Sequence, residues 1–162
     1  IRLSLVGSEM CIRDRYQSDA ARTHGVGKIS EEDQKLIDVT KESFFRGIQF
    51  ARAGRHLYEI SSAIQKYVES NGFSIVRELV GHGIGREMHE DPQIPNFKPI
   101  GRGIKLCPGM TLAIEPMVNA GKRDIWILED DWTVVTRDGS KAAHYENTIL
   151  ITDGDPEILS LA

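Results

Sequence analysis

The chain has 162 residues, 40% hydrophobic and 27% charged, with 20 basic and 24 acidic side chains and a net charge of −4. That length suits one domain with its own core, and the charge balance offers no basic surface for nucleic acid. No uninterrupted apolar run reaches bilayer length, and two cysteines, Cys11 and Cys107, cannot build a disulfide framework, so the composition excludes a helical membrane protein and favours a reducing, cytoplasmic setting.

Residues 1–15 fit poorly with the rest of the chain. Their apolar spacing matches neither a helix nor an alternating strand, and the string resembles translated sequencing-adapter read-through. They are expected to be a non-native leader outside the fold. From Tyr16 the pattern becomes coherent. Ala20 to Gly27 reads as a short strand entering a glycine turn. Ser30, with Asp33 three residues on and Glu31 and Glu32 at the positive end of the dipole, reads as an N-cap. Leu36, Ile37, Thr40, Phe44, Phe45, Ile48 and Ala51 then recur at helical spacing, which predicts a helix over 31–52 ended by Gly54. A second helix carries Leu57, Ile60, Ala63, Ile64, Tyr67 and Val68 on one face and stops at Asn71-Gly72.

Phe73 to Leu79 is predicted as a strand that delivers the chain to Val80-Gly81-His82-Gly83-Ile84-Gly85-Arg86-Glu87-Met88-His89-Glu90-Asp91-Pro92. Glycines at alternate positions disfavour a helix there and allow close backbone approach. Residues 91–109, with four prolines, are expected to be an ordered loop. Met110 to Pro116 reads as a strand with Thr111, Ala113 and Glu115 on one face and Leu112 and Ile114 on the other. Ile125 to Leu128 and Trp132 to Thr136 read as a hairpin, Asp138-Gly139 as a turn, and His144 to Ile151 as a last long strand. Two helices followed by mostly antiparallel strands make an α+β fold.

Two carboxylates, Glu115 and Glu146, interrupt strands that should be buried. Taken singly, each reads as half of a salt bridge or as an acid on a solvated face. Burying an ionised carboxylate costs several kcal/mol unless it is paired or holds a cation, and two of them with a glycine-flanked His82 shift the reading toward a shared metal. Asp19 is weaker locally, since acids before strands are usually turn residues. His89 could be a second ligand or a donor to substrate, but it lacks the His-Glu-x-x-His spacing of zinc-protease helices. His24 and His56 have no convergent acids, Cys107 reads as packing, and Gly81-x-Gly83-x-Gly85 is not a dinucleotide fingerprint.

Taken together, Tyr16-Gln17-Ser18-Asp19, Gly81-His82-Gly83-Ile84-Gly85, Met88-His89-Glu90-Asp91-Pro92, Ile114-Glu115-Pro116-Met117, Asp131-Trp132-Thr133 and Tyr145-Glu146-Asn147-Thr148 resemble the type I methionine aminopeptidases. The resemblance covers residues 16–162, as the C-terminal portion of such a catalytic domain. It implies a pita-bread fold, incomplete here, and a site for two divalent ions. Asp19, His82, Glu115 and Glu146 correspond to metal ligands, Glu115 also to the proton shuttle, His89 to a substrate-facing catalytic histidine that is not a ligand, and Trp132 to a residue near the methionine pocket. The implied reaction is metal-dependent hydrolysis that removes the N-terminal methionine of peptides or of nascent chains at the ribosome, by a cytoplasmic monomer. An oxygen-rich set suits Mn²⁺, Fe²⁺ or Co²⁺, with Zn²⁺ open.

The pattern departs at one point. A further Asp ligand would fall upstream of Asp19, where this chain has Ser8. The expectation is therefore one ion, weakly held, and activity that belongs to a longer parent. The rival readings are a proline-specific dipeptidase or aminopeptidase of the same fold, a non-catalytic pita-bread binding module, and a fragment that does not fold alone.

Overall fold

The structure, a computed structural model, describes residues 4–6, 11–13 and 15–161. The elements in order are β1 (Ser4–Val6), β2 (Cys11–Arg13), β3 (Tyr16–Ser18), β4 (Ala20–His24), α1 (Glu31–Ile48), α2 (Leu57–Ser70), β5 (Ser74–Ile75), β6 (Gly81–Gly83), β7 (Glu90–Ile94), β8 (Thr111–Ile114), β9 (Met117–Asn119), β10 (Ile125–Ile127), β11 (Val134–Thr136), β12 (Ala142–His144), β13 (Glu146–Leu150) and β14 (Glu157–Ile158). All strand pairings among the described residues are antiparallel, and the two helices confirm the α+β expectation. None of these helices is long and apolar enough to cross a membrane.

The first helix starts where the sequence says. The Ser30 side chain accepts a hydrogen bond from the Asp33 amide at 3.1 Å, satisfying one of the helix's free N–H groups. It ends at Ile48 rather than near residue 52, because Phe50 and Ala51 donate to the carbonyls of Gly47 and Ile48, a tighter turn that closes the helix early. Leu36, Val39, Phe44 and Ile48 of α1 and Leu57, Ile60, Ile64 and Val68 of α2 form the core with Leu112, Ile114, Val118 and Ile149 from the strands. The helices meet at Gly47, where a Cβ would stand 2.6 Å from Ile64 Cγ1.

The main sheet runs β1-β4-β13-β8-β6-β7, with β14 also on β13. A second, three-stranded sheet runs β12-β9-β5. Register fixes the faces. Ile114 lies opposite Asn147 and Leu112 opposite Ile149, so these positions point to the helices. Their neighbours along each strand, Ala113, Thr148 and Glu146, point to the other face, and His82, opposite Ala113, joins them.

Several expectations are corrected. The strand over 73–79 shrinks to Ser74–Ile75. The expected loop 91–109 begins as β7, an edge strand, which is where a proline such as Pro92 can sit without removing a ladder hydrogen bond. The long strand 144–151 is two strands in two different sheets, broken at Tyr145. Cys107, expected to pack, is exposed. Where the sequence showed no element, the backbones of Ser4–Val6 and Cys11–Arg13 pair with β4 and β3; strands of three residues are too short to display a period. Ser8 lies outside the described residues.

Candidate metal centre

Pro116 has no N–H to continue a ladder, so the chain leaves β8 after Ile114 and rejoins as β9 in the other sheet. The opposing chain does the same between His144 and Glu146, and the Tyr145 amide donates to the Pro116 carbonyl across the crossing at 3.3 Å. Glu115 therefore faces Glu146 at the junction of two sheets. Asn96 holds it there by donating from its side chain to the Glu115 carbonyl at 3.0 Å.

Asp19 enters from the other side of β13, between β3 and β4. Its amide donates to the Thr148 hydroxyl at 2.8 Å, and its carbonyl accepts from that hydroxyl at 2.9 Å and from the Thr148 amide at 3.1 Å. His82 arrives on β6, which needs its glycines for close strand approach. A Cβ on Gly81 would overlap the Ala113 carbonyl, and one on Gly83 the Asp91 carbonyl. His82 Nδ1 lies 2.9 Å from the Gly83 carbonyl; a hydrogen on that nitrogen leaves the Nε2 lone pair facing Glu115 Oε1 at 3.7 Å.

The sequence-derived residues Asp19, His82, Glu115 and Glu146 thus converge. Donor atoms of Asp19, His82 and Glu146 lie within 4.8 Å of one another. So do those of Glu115, His144 and Glu146, which adds a histidine that the sequence reading left unassigned. Its signal was present in His144-Tyr145-Glu146, since residues two apart on an extended chain share a face. His89 packs against His82 with ring centroids 4.4 Å apart and the planes tilted by 54°, and both line a cleft of about 560 Å³ with Glu115 and Met117. Trp132 lies apart, 86% exposed in the turn between β10 and β11 and outside that cleft's lining.

Burial and crowding disfavour the ionisation of Asp19 and Glu146. Burial, then repulsion from Glu115 and Asp19, pushes Glu146 up to about 9, against a partial offset from Arg22. Burial and Glu115 likewise raise Asp19. Asp19 Oδ1, Glu146 Oε1 and His144 Nε2 are buried without a hydrogen-bond partner. Orphaned lone pairs converging from oxygen and imidazole donors fit a divalent cation, which would neutralise the repulsion and satisfy the atoms at once.

The profile of metallopeptidase family M24 matches residues 3–153. The chain is 61% identical over 146 residues to the methionine aminopeptidase of Clostridium perfringens, covering 90% of this chain and 59% of that protein. It superposes on the crystal structure of methionine aminopeptidase from Thermotoga maritima with a TM-score of 0.89 at 48% identity, over 92% of this chain and 60% of that one. The X-Pro aminopeptidase of Thermotoga maritima shares the fold, with a TM-score of 0.71 at 20% identity over 94% and 38% of the two chains. The chain therefore spans about three-fifths of the methionine aminopeptidases it matches. A pita-bread α+β fold, a convergent carboxylate–imidazole centre and a profile match over nearly the whole length agree, and the chain belongs to metallopeptidase family M24.

Proposed function

We propose that this chain serves the metal-dependent removal of N-terminal methionine from peptides and nascent chains, with residues 16–162 as the C-terminal portion of the catalytic domain. The observation that carries the reading is the convergence of Asp19, His82, Glu115 and Glu146 with orphaned carboxylate oxygens beside a cleft that also holds His89. The high identity to a methionine aminopeptidase, against 20% to the X-Pro enzyme, favours methionine over X-Pro substrates.

A divalent ion bound there supplies Lewis acidity, which activates water and polarises an amide carbonyl. The residues of this chain do the rest. Glu115 borders the cleft and takes the proton released as the nucleophile attacks, then delivers it to the leaving amine. His89 donates to the oxygen on which charge develops. The proposal extends to Mn²⁺, Fe²⁺, Co²⁺ or Zn²⁺ as the ion and to a monomer working in the cytoplasm at the ribosome, a setting in keeping with the exposed free thiol of Cys107. Trp132 is assigned to the methionine pocket on resemblance alone, since its indole is presented to solvent here.

The test is hydrolysis by the full chain supplied with Mn²⁺ or Co²⁺, comparing a Met-Ala peptide with an X-Pro dipeptide. Methionine release, even slow, is expected. Cleavage of the X-Pro dipeptide alone refutes the assignment, and cation binding without either hydrolysis points to a binding module. His89→Ala should lower kcat about 100-fold with cation affinity unchanged.

A further inference from the structure

We infer that His144 is a metal ligand, and that with Glu115 and Glu146 it forms a second cation position beside the one at Asp19, His82 and Glu146. This rests on the metal-centre reading and goes past it, because the sequence pointed to a single ion and gave His144 no role.

Glu115 is bracketed by two imidazoles, one on each carboxylate oxygen. His82 Nε2 stands 3.7 Å from Oε1, and His144 Nε2 stands 3.4 Å from Oε2. His144 Nε2 is also 3.9 Å from Glu146 Oε2. These separations exceed those of hydrogen bonds, which fall at about 2.7–3.2 Å for nitrogen and oxygen. They are close to the spacing of ligand atoms around one ion: bonds of ~2.0–2.1 Å in a tetrahedron put donors roughly 3.3 Å apart. His144 Nε2 is buried with no partner, and so is Glu146 Oε1 on a residue that is 2% exposed.

The imidazole is also held in place. The His144 amide donates to the Thr23 hydroxyl at 2.8 Å, and that hydroxyl donates back to the His144 carbonyl at 2.9 Å. Opposite Met117 in β9, His144 closes the last rung before the chain crosses sheets. A side chain fixed at its backbone on both sides, with a buried, unpartnered Nε2 aimed at two acids, is arranged as a ligand is. Glu115, with one oxygen toward each imidazole, stands between the two positions, and Glu146 is common to both.

The test uses the full chain labelled with ¹⁵N-histidine and titrated with Co²⁺ alone. Calorimetry should give two equivalents, and paramagnetic NMR should show, among the five histidines, two imidazoles carrying the large contact shift of direct bonding to Co²⁺; only such rings count as shifted, since His89 beside His82 feels a smaller through-space effect. His144→Gln should lose one equivalent and one shifted imidazole while the His82 signal persists. One equivalent with one shifted imidazole in the unmutated chain overturns the inference and leaves the metal centre standing. Two equivalents retained in His144→Gln also overturns it. No Co²⁺ bound at all overturns both. The imidazole count in the unmutated chain decides even where the variant fails to fold.

Discussion

Replacing Glu146 with glutamine tests the electrostatics of the centre most directly. In the metal-free chain the Glu146 carboxyl is raised from 4.5 to about 9, chiefly by burial and then by its acidic neighbours. A raised folded-state value means that the folded chain holds this proton more tightly than the unfolded chain. Stability is therefore full below about pH 4.5 and falls as pH rises toward 9. At ~1.4 kcal/mol per unit the loss is on the order of 6 kcal/mol, comparable with the whole stability of many domains. Asp19, raised for the same reasons, acts in the same direction. Asp33, Glu59, Asp130 and Asp138 are lowered instead, so their contributions are present above their unfolded values and are lost only in acid, outside this window. Urea denaturation in EDTA across pH 5–9 should show the unmutated chain weakening steadily. Glu146→Gln should be much flatter and several kcal/mol more stable at pH 9, since the neutral isostere has no charge to bury. Added Mn²⁺ should restore the unmutated chain at high pH and leave the variant unmoved, because cation binding is coupled to folding through the same acids. Parallel pH profiles for the two proteins in EDTA would refute the reasoning.

Three further outcomes follow from packing. Gly83→Ala forces a methyl against the Asp91 backbone carbonyl, which cannot step aside as a side chain can; it should cost about 3 kcal/mol in denaturant unfolding and weaken Co²⁺ binding by displacing His82. Ser30→Ala removes the cap of α1 and should cost about 1 kcal/mol with cation binding unaffected. Phe44→Ala opens a cavity where the ring meets Phe45 and Tyr145, and should cost about 3–5 kcal/mol by the same assay.

The helices and three of the four candidate ligands were legible because each leaves a local mark, while Asp19 was reached only through the family resemblance. Helix periodicity, Ser30 and the glycine stop need only neighbours along the chain. Glu115 and Glu146 stood out as charges inside apolar strands, and His82 by its glycines. What was missed depends on partners distant in sequence. The strand β7 exists because β6 accepts it on one side, although Pro92 within it and the prolines after it argue for a loop. The split at Tyr145 is set by Pro116 some thirty residues earlier, so an unbroken run of strand-forming residues concealed it. His144 shares its i, i+2 spacing with Glu146, but its approach to Glu115 depends on that same crossing of two strands, and no spacing within 144–151 encodes it.

The switch between sheets also explains why acids can occupy this interior. Along β8 and β13 every position facing the helices must be apolar or hydrogen-bonded, and Leu112, Ile114 and Ile149 meet that demand. Where both chains change sheets, the ladder is interrupted for a residue or two and the side chains there face neighbouring side chains across a gap. Apolar groups could fill that gap, and their burial would stabilise the metal-free chain more than three mutually repelling acids do. The chain instead sets Asp19, Glu115 and Glu146 there, holds Asp19 and Glu115 at the backbone through Thr148 and Asn96, and leaves Asp19 Oδ1 and Glu146 Oε1 unpartnered. Rigid backbone with unsatisfied lone pairs costs folding free energy that only a ligand can return. A centre built this way binds its cation with little reorganisation, and the strength of that binding is set by the same repulsion that weakens the empty fold.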